Sequence, residues 1–103
     1  MITKYGMINK IVAKPGQRDA IVQILLAAAR KQGGMKGCDL YIVHTSPTEA
    51  EVIWVTEIWR SREDHEASLK SAEVRALIDK GRPLIASIEP MVTMPQGGKG
   101  LPA

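Results

Sequence analysis

The segment from Glu51 to Trp59 constrains the fold most, because both of its alternating sets of side chains are apolar. One set is Val52, Trp54 and Ile58, and the other is Ile53, Val55 and Trp59. Successive side chains of a strand point to opposite faces of the sheet, so a strand of this kind needs a cover on each side. The segment therefore predicts a sheet with two buried faces.

Three further segments predict strands, at Tyr5 to Lys14, Cys38 to Thr45 and Ile85 to Met94. The first stops at a Pro-Gly turn, and the second forms a hairpin with the strand that starts at Glu51. Pro90 cannot donate to a ladder of hydrogen bonds, so it predicts an edge position or a bend in the last strand.

Two segments have a helical period. Ile21, Ile24, Leu25 and Ala28 follow the spacing i, i+3, i+4, i+7, in a helix predicted to run from Gln17 to Gly33-Gly34. A second helical region begins at a capping pattern, Ser61-Arg62-Glu63-Asp64, and ends at Gly81. Within it, Ser71-Ala72-Glu73 predicts a break where a second helical piece is capped again.

The order strand, helix, strand, strand, helix, strand predicts an α+β, ferredoxin-like βαββαβ sheet with both helical regions on one face. Because the strands are apolar on both faces, we expect a second copy of the chain to cover the other face. The result would be a homodimer in the form of a dimeric α+β barrel. We expect residues 1–94 to form this single domain and residues 95–103 to form a flexible C-terminal tail.

Composition excludes several classes of protein. The 14 Lys and Arg are interspersed among 11 Asp and Glu, which argues against a nucleic-acid partner despite the net charge of +3. The longest nearly apolar run, at residues 20–29, is too short to cross a bilayer, so no membrane partner is expected. One cysteine, Cys38, and a first segment unlike a signal peptide favour a cytoplasmic location.

Motifs for cofactors are missing from the sequence. The glycines do not form a phosphate-binding loop between a strand and a helix, and the two His and one Cys lack the close spacing of metal sites. No Gly-x-Ser-x-Gly elbow is present, although counting residues cannot exclude a Ser-His-Asp arrangement. We therefore expect neither a metal nor an organic cofactor.

Polar and aromatic side chains among apolar neighbours are the candidates for a site. We predict catalytic roles for His65, Trp59 and Asn9, and substrate-binding roles for Arg75, Trp54, Tyr41 and His44. His65 stands near a helix N-terminus, where the dipole disfavours a positive charge and keeps the imidazole able to accept a proton. Six of the seven candidates also have a structural interpretation: an exposed histidine at positions 44 and 65, packing for both tryptophans, a backbone cap for Asn9 and a surface cation for Arg75.

The chain resembles the antibiotic biosynthesis monooxygenase family over about residues 5 to 94. The resemblance lies in Lys14-Pro15-Gly16-Gln17-Arg18-Asp19, in Gly37-Cys38-Asp39-Leu40-Tyr41 and above all in the run from Glu57-Ile58-Trp59 to Ser68-Leu69. It implies a dimeric ferredoxin-like barrel and, as in many members, oxidation of a quinol or phenol ring by O₂ without metal or flavin. On that view His65 is the base, Trp59 a wall against the ring and Arg75 an anion clamp.

The chain departs from the family pattern at several positions. Members that oxidise polyketide rings have an asparagine where this chain has Val55 and a tyrosine where it has His65. The haem-degrading branch shares Asn9 but needs a tryptophan and a haem-ligating histidine, where this chain has Ser68 and Ile78. Haem degradation is therefore disfavoured.

Three functions are compatible with these residues. The first is a cofactor-independent monooxygenase that acts on a quinol-like or phenolic small molecule and O₂. The second is an isomerase or other small-metabolite enzyme in which His65 moves protons, and the third is a non-catalytic ligand-binding or stress-associated module. One fold supports many chemistries, so the fold alone does not decide among them.

Overall fold

A four-stranded antiparallel sheet, with helices packed on one side, forms the centre of the molecule. The structure is a computed structural model that describes residues 4–30 and 36–101. Its elements are β1 (Tyr5–Ala13), α1 (Arg18–Arg30), β2 (Cys38–Thr45), β3 (Val52–Trp59), α2 (Arg62–Leu69), α3 (Ala72–Gly81) and β4 (Ile85–Thr93), with a 3₁₀ turn at Arg82–Leu84 before β4. The predicted α+β, ferredoxin-like fold is confirmed.

The strand order is β2-β3-β1-β4, so β3 and β1 are central and β4 is an edge strand. Pro90 pairs with Asn9 in the β1–β4 ladder. A proline is tolerated there because the edge strand needs no donor on its outer side. The predicted edge position of Pro90 is therefore confirmed.

The helical region after β3 consists of two helices with separate caps. The Ser61 hydroxyl accepts a hydrogen bond from the Asp64 N–H at 3.1 Å, and the Ser71 hydroxyl accepts one from the Val74 N–H at 3.4 Å. Such caps satisfy N–H groups that have no partner within the first turn. The predicted cap at Ser61 and the predicted break at Ser71 are both confirmed. The predicted end of α1, at Gly33-Gly34, lies outside the described residues.

The core lies between the sheet and the helices. Its buried members are Ile11, Ala13, Ile21, Ile53 and Val55. In β3 the odd-numbered residues face this core, and Trp54 on the alternate face is partly exposed. Within this single chain, therefore, one face of the sheet is covered by helices and the other is open.

In the described part of the C-terminal segment, residues 94–101 form neither helix nor strand.

No helix among residues 4–30 and 36–101 is long and apolar enough to cross a membrane.

Candidate active site

A buried carboxylate, Glu57, is the centre of the candidate site. It lies on β3, between Val55 and Trp59 on the face toward the helices. One of its oxygens, Oε2, accepts a hydrogen bond from Asn9 Nδ2 at 2.7 Å, and the other, Oε1, accepts one from Trp59 Nε1 at 3.0 Å. Both neighbours are donors at these atoms, so the carboxylate is held in a fixed orientation.

His65 completes the cluster from the first turns of α2. Its Nε2 lies 3.8 Å from Glu57 Oε1, which is too long for a hydrogen bond but close enough for a strong electrostatic interaction. Its ring contacts two aromatic rings, with centroid distances of 5.4 Å to Tyr5 and 5.4 Å to Trp59. The Trp59 ring meets it edge-on, a favourable geometry for two aromatic groups.

Two features of the fold position the side chains of this cluster: the register of the strands and the cap of α2. Tyr5 pairs with Trp59 across β1 and β3, and Tyr41 pairs with Glu57 across β2 and β3. Paired residues point to the same face, which brings three strands into one cluster. The Ser61 cap starts α2 directly after β3, so the first turns of the helix carry His65 over the end of the sheet.

Burial dominates the electrostatics of the cluster. It raises the pKa of the Glu57 carboxyl above its ordinary value, opposed by the Trp59 N–H, the His65 charge and the Asn9 amide. Burial also raises the pKa of Tyr41, and the charges of Glu57 and Cys38 act in the same direction. It raises the pKa of the Cys38 thiol to about 11, so this cysteine is a poor nucleophile at neutral pH.

A cavity of about 190 Å³ lies between the cluster and the helices. Glu57, Trp59, His65 and Tyr41 line one part of it, and aliphatic side chains from α1, α3 and β4 line the rest. An adjoining hollow of about 280 Å³ shares Glu57, His65 and Tyr41 and is also lined by Asn9. An engineered apolar cavity of about 150 Å³ is enough to bind benzene, so the space suits a small ring compound.

The structure brings four of the seven predicted site residues together: Asn9, Tyr41, Trp59 and His65. Trp54 and His44 lie on the open face of the sheet, where His44 Nε2 is 3.2 Å from Thr56 Oγ1 and the Lys10 ammonium is 5.7 Å from the Trp54 ring centroid. Arg75 is exposed on α3 and does not line the cavity.

Glu57, the centre of the site, was not among the site residues predicted from the sequence. The sequence does contain an indication of its position, because an acidic residue that alternates with Val55 and Trp59 must share their face of the strand. Among the described residues, no three His, Cys, Asp or Glu side chains come together in a way that would hold a metal ion. The arrangement can instead accept and hold a proton next to an apolar space.

Comparison with known proteins places these features in a family. The family model described as antibiotic biosynthesis monooxygenase matches residues 4–80. A crystal structure from Chloroflexus aurantiacus J-10-fl is 45% identical, with a TM-score of 0.89. Its name gives a provisional assignment to the same family. The match covers 96% of this chain and 99% of that one. None of the curated proteins matches the chain.

More distant structures share the fold. One from Pseudomonas aeruginosa is 19% identical, with a TM-score of 0.81 over 92% of this chain and 96% of that one. One from Nitrosomonas europaea, also named provisionally for antibiotic biosynthesis monooxygenases, is 14% identical, with a TM-score of 0.78 over 90% of each chain. At these identities the likeness shows the fold alone.

Proposed function

Because the chain belongs to the antibiotic biosynthesis monooxygenase family, we propose that it oxidises a quinol-like or phenolic small molecule with O₂ and without a cofactor. The observation that carries this proposal is the His65–Glu57 pair at one end of an apolar cavity. A proton acceptor supported by a carboxylate, beside a space for a ring, is what such a reaction requires of a protein.

The first step is proton transfer from the substrate. A phenol hydroxyl in the cavity gives its proton to His65, and the resulting imidazolium lies beside the Glu57 carboxylate. Attraction between these opposite charges is strong in a buried site, so Glu57 stabilises the product of the transfer. Glu57 thus acts through His65 and is a positioning residue in this mechanism.

The remaining steps need only the substrate and dioxygen. The phenolate passes one electron to O₂, and the radical and superoxide combine at a ring carbon that carries hydrogen. The peroxide takes the proton back from His65, the O–O bond breaks, and the ring carbon loses its hydrogen to give a carbonyl group and water. One oxygen atom enters the ring, and the substrate supplies both electrons and both protons of the water.

The neighbours of the pair have separate roles. Trp59 is pinned by its N–H bond to Glu57 and forms a rigid wall of the cavity. Asn9 holds the second carboxylate oxygen and so fixes the orientation of Glu57. The aliphatic walls exclude water, which favours recombination of the radical pair over escape of superoxide.

Oxygen consumption with a panel of alkylated hydroquinones and naphthohydroquinones tests the proposal. We expect uptake above the rate of spontaneous oxidation, with formation of the oxygenated product. The His65→Ala variant should lower kcat by about 10²–10⁴, the usual contribution of a general base. Trp59→Phe should also lower the rate, because it removes one of the two donors to Glu57.

The matched control is Glu66→Gln, which changes an exposed residue next to His65 that pairs with Arg62 at 3.0 Å. This variant should keep the activity of the unmodified chain. The proposal is wrong if no quinol in the panel gives uptake above background, or if His65→Ala leaves the rate unchanged.

An isomerase is the second candidate, because the His65–Glu57 pair can move a proton between two substrate atoms with no oxygen present. Conversion of a substrate under argon, with deuterium taken up from D₂O, would favour this function over the first.

A further inference from the structure

The cavity is apolar on three of its sides. α1 contributes Ile21 and Leu25, α3 contributes Leu77 and Ile78, and the segment at the start of β4 contributes Ile85 and Ile88. No Lys or Arg is among the residues that line the cavity, within the part of the chain that the structure describes. A bound molecule therefore meets hydrocarbon on these sides and no fixed positive charge.

The rim of the cavity is also apolar. Leu69, Ile78 and Ile88 line the cavity and are 44%, 38% and 53% exposed. Grouped exposed apolar side chains are typical of binding surfaces, and apolar walls favour the apolar part of a ligand. These three rim residues, within the described part of the chain, thus offer no partner for a charged group.

The polar end of the cavity favours a neutral hydroxyl and opposes an anion. The Ser68 hydroxyl already donates to the His65 carbonyl at 2.6 Å. Tyr41 and Glu57 are acids, and the one group there that becomes cationic, His65, is already beside the Glu57 carboxylate. An added carboxylate would lie next to a like charge or lose its water without compensation.

From these observations we propose that the cavity selects uncharged phenols and hydroquinones and rejects aromatic carboxylates. The proposal rests on the proposed function and defines its substrate class. The selection is local, since a chain with a net charge of +3 attracts anions at long range. Arg75, the cation predicted as an anion clamp, is exposed on α3 outside the cavity lining.

The test is equilibrium binding under argon at neutral pH, measured by calorimetry and by Trp fluorescence. Three ligands of similar shape are compared: 4-isopropylphenol, 4-hydroxybenzamide and 4-hydroxybenzoate. The amide and the carboxylate differ mainly in charge, so their ratio isolates the effect of the charge. We expect both neutral phenols to bind, and 4-hydroxybenzoate to bind at least roughly tenfold more weakly than the amide.

A variant at the rim provides the reverse test. Ile78→Arg adds a cation at the mouth and should strengthen binding of 4-hydroxybenzoate by roughly tenfold relative to the amide. Ala76→Arg is the matched control, because it adds the same charge on α3 at an exposed residue that does not line the cavity. This control should change the ratio by less than about twofold.

Two results would overturn the proposal. One is equal binding of 4-hydroxybenzoate and 4-hydroxybenzamide to the unmodified chain, and the other is failure of both neutral phenols to bind. The measurement uses no oxygen, so it is independent of turnover. Selective binding without oxygen uptake would support the selection of uncharged phenols and reject the monooxygenase activity.

Discussion

At Glu57, the stability of the fold and the proposed chemistry favour different protonation states of the carboxyl group. Two N–H donors, from Asn9 and Trp59, favour the ionised carboxylate, as does a positive charge on His65. Burial favours the neutral acid and is the larger effect, so the pKa of Glu57 is raised. Ionised Glu57 therefore costs stability, while the site uses its charge.

This opposition predicts a pH dependence of the free energy of unfolding. A raised pKa in the folded state gives a stabilising contribution that is complete below the unfolded value, here 4.5, and is lost as pH rises through the folded value. Relative to Glu57→Gln, which cannot ionise, the unmodified chain should become progressively less stable as pH rises from 4 toward 7. Urea unfolding of both proteins at several pH values measures this difference.

Glu66→Gln again serves as the control, since Glu66 is exposed and its pairing with Arg62 is of the weak surface type. Its stability relative to the unmodified chain should vary little with pH. A difference between the unmodified chain and Glu57→Gln that stays constant from pH 4 to 7 would contradict the account of Glu57.

The sequence identifies most members of the site and puts Trp54 and Trp59 on opposite faces of one strand, but it does not say which face carries the cavity. Trp54 and Trp59 are five residues apart in one strand, so they point in opposite directions, and residue type alone does not separate them. His44 pairs with Trp54 and shares its face. Their predicted binding role would require the open face of the sheet to take part in a site, which remains a prediction.

Among the elements, the junction of α2 and α3 is controlled by Ser71. The N–H groups of Lys70 and Ser71, directly after α2, donate to the carbonyls of Ala67 and Ser68, and the Ser71 hydroxyl then caps α3. Both helices contribute to the cavity, α2 through His65 and α3 through an aliphatic wall. The cap thus lies between the helix that carries the proton acceptor and the helix that forms the wall.

Ser71→Ala should destabilise the protein by about 1 kcal/mol, because the Val74 N–H loses its side-chain partner at a helix N-terminus. Ser71→Asp is the matched variant, since aspartate also accepts this hydrogen bond and favours the positive end of the helix dipole. We expect Ser71→Asp to keep the stability of the unmodified chain within about 0.5 kcal/mol by urea unfolding. Equal losses in the two variants would show that the hydroxyl does not act as a cap.

The elements themselves could be predicted almost completely, because each has a clear period and a clear stop. β2 occupies the predicted residues, and the other strands differ from prediction by one residue at one end. The register shifts between Val12 and Ala13 and between Cys38 and Leu40 were not predicted. A shift of this kind depends on how two strands pair, which the period of one strand does not contain.

At the scale of the whole molecule, the second face of the sheet has no cover among the described residues of a single chain. Ile42, Trp54 and Met91 are large, partly exposed hydrophobic side chains on that face. The register puts them on three different strands, so they form a broad surface and not a single ridge. Apolar surfaces of this breadth are typical of protein interfaces.

We therefore expect a homodimer that covers this face. Light scattering at micromolar concentration should give twice the chain mass of 11.3 kDa. Ile42→Lys should weaken the dimer by at least roughly tenfold, because it buries a charge without a partner. Ala76→Lys, at an exposed position on the helical side, should leave the mass unchanged. A monomer at all micromolar concentrations would exclude this assembly.

Strand β3 serves two surfaces with one run of eight residues. Glu57 and Trp59 line the cavity and Val55 lines the adjoining hollow, while Trp54 and Thr56 belong to the opposite face of the sheet. Substitutions at alternate positions can thus tune chemistry and self-association almost independently. Loss or gain of a single residue within the strand would exchange the two surfaces at once, turning the buried acid outward and an indole inward. A change of one residue in the length of β3 should therefore disturb both surfaces, whereas a replacement at one position should disturb only one of them.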